Sequence, residues 1–187
     1  SSDKPDFWAL YIYLAIVTTA SFALARARLW RWLALTAVAF GTLWIFPGIN
    51  DTMVDAIAPH AFHAVMGFIL VAALLVSGLF YGPDAKPGEI DPVSSGALAA
   101  YLFGAAVLVL ARQHDGVALA AFTLLVAGTI AIAWRTEAAA AALPAAVVLT
   151  FLVMANWAVG MNFKSLVAAG GPAALPPDPN PALYGTH

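Results

Sequence analysis

Cysteine is absent from the 187-residue chain, which removes disulfides, thiolate nucleophiles and thiolate metal sites together and leaves the redox compartment unreadable. Charge is scarce as well. Only 10% of residues are Asp, Glu, Lys or Arg, against roughly 25% in a soluble domain, so the surface cannot face water throughout. The net charge of −2 is too small to point to nucleic acid or an acidic partner. No glycine-rich phosphate loop follows a strand, and no nucleophile elbow is present for Ser-His-Asp chemistry. The opening residues Ser-Ser-Asp-Lys-Pro-Asp lack the basic stretch of a signal peptide. The closing residues have no stop character, so a section of a longer protein is expected.

What is present is apolar. Hydrophobic residues make up 63% of the chain, with a mean hydropathy of +0.88. Uncharged runs occupy 7–24, 32–49, 64–80, 96–111, 117–134 and 138–159. About 20 residues at 1.5 Å each cross the hydrocarbon of a bilayer. The runs are continuous rather than alternating, which leaves helices as the spanning structure. The sequence therefore predicts an all-α, polytopic transmembrane helical bundle of about six spans built as antiparallel hairpins over residues 1–159. Residues 160–187, with five prolines between Pro172 and Pro181, read as an extramembrane tail or linker.

Finer signals fall at the breaks. Pro47-Gly48 should stop the second helix, and Ser94 or Ser95 should cap the fourth. Pro144 should kink or delay the sixth. Gly96, Ala100 and Gly104 recur every fourth residue, a small-residue face that lets another helix come close. Thr18, Thr19, Ser21, Thr36, Thr42, Ser77, Thr123, Thr129, Thr150 and Asn156 are the polar residues inside the runs. They are expected to join helices to one another, with Asn156 the costliest in lipid and the best candidate for a substrate-lining position.

Orientation rests on the stretch Ala25–Trp44, ARARLWRWLALTAVAFGTLW. Arg26, Arg28, Arg31, Lys86 and Arg135 fall on one side of the membrane, and Lys4, Arg112 and Lys164 on the other. The positive-inside bias puts the arginine hinge in the cytoplasm and both ends outside. All six tryptophans lie near the ends of runs, where aromatic belts sit.

The hinge Ala-Arg-x-Arg-Leu-Trp-Arg-Trp-Leu-Ala, within Phe22–Trp44, resembles that of a bacterial family of predicted membrane proteins catalogued as a domain of unknown function (DUF 2339). The resemblance implies a bacterial inner-membrane setting and a parent chain much longer than this one. It supplies no catalytic residues.

Three groups of residues are candidates for function. Asp51, Asp55, His60 and His63 place two carboxylates and two imidazoles within 13 residues. Such a set could ligate zinc or a similar ion, or serve a catalytic loop. The simpler reading is a polar loop with both histidines at headgroup level. Arg26, Arg28 and Arg31 could bind anionic lipid head groups. Asn156 is the third. No Asp, Glu, Lys, Arg or His lies well inside any run, which disfavours ion-coupled transport. No cofactor is expected, and the expected partners are membrane lipid and further transmembrane helices. The leading reading is a structural or scaffolding section of a larger envelope membrane protein. The alternatives are a permeation module for a neutral or lipid-linked substrate, and a membrane-embedded glycan or lipid transferase using the Asp51–His63 loop.

Overall fold

The computed structural model describes residues 6–46, 57–80, 86 and 88–168, the last eight as backbone only. Its elements are α1 (Phe7–Arg28), α2 (Arg31–Leu43), α3 (Ile57–Leu74), α4 (Pro92–Ala111), α5 (Gly116–Arg135), a 3-10 turn (Glu137–Ala139) and α6 (Ala142–Ala168). No strand occurs among the described residues. Five helices, all but α2, are long and apolar enough to span a bilayer. The 13-residue α2 is about 20 Å long at 1.5 Å per residue.

Local chemistry sets the helix ends. Asp6 starts α1 by accepting from the N–H groups of Trp8 and Ala9 at 3.0 and 3.2 Å, which satisfies two donors that have no partner within the helix. Asp115 caps α5 in the same way through Val117 and Ala118. The fourth helix begins earlier than the serines predict. Asp91 is its cap and Pro92 takes the first helical position, where a missing N–H costs nothing. Ser94 and Ser95 lie inside α4 rather than at its cap. Pro144 falls in the first turn of α6, and the 3-10 turn ahead of it supplies the expected delay.

The reversal between α1 and α2 takes only two residues. Leu29 adopts the left-handed conformation at φ 56°, and the Trp30 N–H reaches back to the Ala25 carbonyl at 2.9 Å. That bond closes α1 as a Schellman cap does, although glycine is the usual residue at that position.

Helices α1 to α5 and the start of α6, up to Val153, form one compact unit; the remainder of α6 belongs to a second, Met154–His187. Within the first unit, α1 lies on α3 and α2, while α4 packs against α2, α3 and α5. The centre is α3 and α4, and Tyr101 of α4 is wholly buried there. Gly41 on α2 and Gly67 on α3 make room for it. A Cβ on Gly67 would overlap the Tyr101 ring, and one on Gly41 would meet its hydroxyl. Gly104 similarly receives the Ile45 side chain, whereas Gly96 of the same small-residue face has nothing near it.

Most hydroxyls inside the helices do not join neighbours. Thr19, Ser21, Thr36, Thr123, Thr129 and Thr150 each donate to the carbonyl four residues earlier, at 2.6 to 2.8 Å. A threonine or serine in lipid satisfies its donor most cheaply on its own helix, so the expected bonding between helices is absent at these six positions.

Candidate functional site

Among the described residues of the first unit, polar side chains gather at two places. The first is the end of the bundle where α1 turns into α2. Arg31 Nη2 lies 3.0 Å from Asp91 Oδ1, with the arginine largely exposed and the carboxylate mostly covered. Asp91 therefore serves as helix cap and ion-pair acceptor at once. Ser94 Oγ donates to Asp91 and accepts from the Ser77 N–H. The Ser77 carbonyl accepts from Thr136 Oγ1 at 2.9 Å. Ser95 Oγ and the Asp91 N–H both donate to the Ala138 carbonyl, and the Gly88 N–H donates to Glu137. These bonds tie the ends of α3, α4 and α5 to the 3-10 turn. Polar groups that would otherwise be unsatisfied near lipid are paired here.

A cavity of about 360 Å³ opens beside this seam, lined by Arg26, Arg31, Asp91 and Ser77 on its polar side. Leu29, Trp30, Leu75 and Val93 are among its apolar lining. Arg26 Nη2 is buried and meets no acceptor. Arg28 is exposed and does not line the cavity. The structure thus brings together two of the three hinge arginines and separates the third, because residues two apart on a helix point to different faces. Trp30 and Trp32 stack beside it at 5.9 Å.

The second place is a cluster of rings on α1, α3 and α4. His60 and His63 stand in the first turns of α3, both buried. The loop expected for them is therefore corrected to helix: α3 begins at Ile57, seven residues ahead of the uncharged run, and both imidazoles are packed among its neighbours. Tyr11 of α1 stacks on His63 at 4.7 Å and meets His60 edge-on at 5.1 Å. Phe7 lies 5.3 Å from His60. His63 Nε2 is 2.9 Å from the Gly41 carbonyl. A carbonyl only accepts, so Nε2 carries the hydrogen, and in the neutral ring Nδ1 is left as an acceptor. Tyr101 Oη and Thr42 Oγ1 are buried with no hydrogen-bond partner.

A largely apolar groove of about 290 Å³ runs between α1 and α2, with Leu14, Thr18, Ala37, Phe40 and Gly41 in its walls and His63 also lining it. Sequence reasoning paired His60 with His63 and read Pro59 as the first turn of a helix, but it had no signal for the cover that Tyr11 of α1 gives both rings.

Asp51 and Asp55 lie outside the described residues. Among the described residues no three His, Cys, Asp or Glu side chains come together as a metal-ligand group. Asn156 is exposed on α6 amid exposed apolar neighbours such as Met154 and Trp157.

Long apolar helices, charge confined to helix ends and glycine-lined helix contacts define an integral membrane protein with several spans. The model of one family, predicted membrane protein (DUF2339), matches residues 1–175, and the chain belongs to that family. Comparison with curated proteins and with solved structures found no match.

Proposed function

We propose that this chain is a structural section of a larger bacterial envelope membrane protein, whose outer helices pack against further transmembrane helices. The observation that carries this is Asn156. It stands on a face of α6 that is otherwise apolar and open. A carboxamide facing hydrocarbon loses its hydrogen bonds, and a neighbouring helix restores them. In this reading the arginine hinge faces the cytoplasm of the inner membrane. Arg26, Arg31, Lys86 and Arg135 all belong to the end that carries the hinge, and Arg112 belongs to the other, in keeping with the positive-inside bias.

A photo-crosslinking residue at position 156, in the full-length protein in native membranes, tests the proposal. Adducts to another transmembrane helix are expected. Adducts to lipid alone would remove the packing role.

A second reading, a permeation module for a neutral or lipid-linked molecule, draws on the groove between α1 and α2. It is partly open, mostly apolar, and has an imidazole in its lining. A His63→Phe protein that inserts and folds normally, yet loses passage of such a molecule in reconstituted vesicles, would favour it.

A further inference from the structure

We propose that the cavity at the α1–α2 turn is a binding site for one singly charged phosphodiester of a membrane lipid, held by Arg26 and Arg31 and not by Arg28. The inference is independent of the scaffold reading, because it concerns only the first compact unit and its own lining.

The charge of the lining sets the ligand class. Two guanidinium groups face one carboxylate there, which leaves one positive charge uncompensated. Asp91 takes one nitrogen of Arg31, and the rest of that planar fork remains available for a tetrahedral oxyanion. Arg26 has a buried nitrogen without an acceptor, a donor that favours any anion able to reach it. A doubly charged phosphomonoester would leave an excess negative charge against Asp91. A phosphodiester balances the site.

The rest of the lining indicates a lipid rather than a soluble phosphate. Leu29, Trp30, Ala34, Leu75 and Val93 form an apolar wall, suited to the glycerol and upper acyl carbons of a phospholipid. Trp30 and Trp32 are stacked and partly exposed beside it, as aromatic side chains are at the headgroup level of a bilayer. Arg28 is two residues from Arg26 on the same helix, but it is exposed and outside the cavity. It therefore shares the net positive charge of the hinge without sharing the site.

The test is native mass spectrometry of the full-length protein with phosphatidylglycerol, phosphatidylcholine or inorganic phosphate added. One phosphatidylglycerol should be retained in preference to phosphatidylcholine, whose phosphodiester is the same but whose choline cation restores the uncompensated positive charge, and millimolar inorganic phosphate should not displace it. Arg26→Gln and Arg31→Gln should each weaken retention about tenfold, the loss of one charge-assisted contact, whereas Arg28→Gln should leave it within about twofold. Equal loss in all three variants would overturn the site in favour of diffuse attraction to the hinge. Displacement by inorganic phosphate would overturn the lipid assignment. If Arg26→Gln fails to fold, Arg31→Gln decides alone, since its exposed side chain leaves packing intact; undiminished retention in it would overturn the proposal.

Discussion

The hinge end and the ring cluster lie in the same unit, yet they accommodate polar groups in opposite ways. At the hinge end an ion pair, hydroxyls and backbone groups are joined in series: Arg31 to Asp91, Asp91 to Ser94, Ser94 to Ser77, Ser77 to Thr136. The ring cluster is built of large side chains with at most two polar atoms each, and shape does most of the holding. Tyr11 covers both histidines with its face and edge, and two glycines open a slot for Tyr101. Near the headgroups water and ions help satisfy a polar atom, so charge is tolerated there. Where packing covers the side chains, neutral rings are the less costly choice, because most of their surface is apolar. Exposure decides which solution a sequence can use.

The sharpest way to break that comparison is to fill the slot. Gly67→Val should displace the Tyr101 ring and lower stability by about 3 kcal/mol or prevent folding, as overpacking does in a tight core. Thermal unfolding in detergent reads this directly. A midpoint unchanged from wild type would show that the slot has slack. Replacing Tyr101 with Leu in the same chain should recover part of the loss.

Removing a ring comes next. His63→Ala forfeits the stack on Tyr11 and the bond to the Gly41 carbonyl, for an expected loss of about 2 kcal/mol. His63→Phe keeps the stack and should recover roughly half of it. If both variants cost the same, the hydrogen bond rather than the shape carries the cluster.

The smallest change should be the most informative. Tyr101→Phe deletes a hydroxyl that has no hydrogen-bond partner, so stability should stay within about 0.5 kcal/mol of wild type. A larger drop, measured by the same unfolding curve, would mean that the hydroxyl is satisfied in the membrane.

Much of this architecture could be read directly from the residues. Uncharged runs of the right length need no tertiary information to become helices in lipid, and the arginine–tryptophan hinge falls at a two-residue turn between α1 and α2. The misreadings occurred where one residue type has two structural uses. Ser94 and Ser95 looked like the cap of the fourth helix, but Pro92 after Asp91 is equally the first residue of a helix. Uncharged-run length placed the third helix too late because it treated His60 and His63 as polar boundaries, whereas a neutral imidazole covered by tyrosine packs as a ring. The small-residue face on α4 suggested where helices would meet; Gly104 receives Ile45 and Ala100 packs against the core, while Gly96 has nothing near it. Gly41 and Gly67, each on a different helix, share a contact with Tyr101. No one-dimensional spacing reveals that convergence. The same limit applies to the hinge arginines, which are alike in sequence and separate only when the helix turns two of them towards one cavity.

Three aspartates, Asp6, Asp91 and Asp115, are spent on holding helix starts. This has a consequence for anyone scanning the chain by mutation. In a protein with only ten acidic residues, an alanine scan will score these carboxylates as essential, and they will resemble the remnants of an active site. Asparagine separates the two explanations, because it caps a helix about as well as aspartate but cannot act as a general base. A position that tolerates Asn and rejects Ala marks the beginning of a helix.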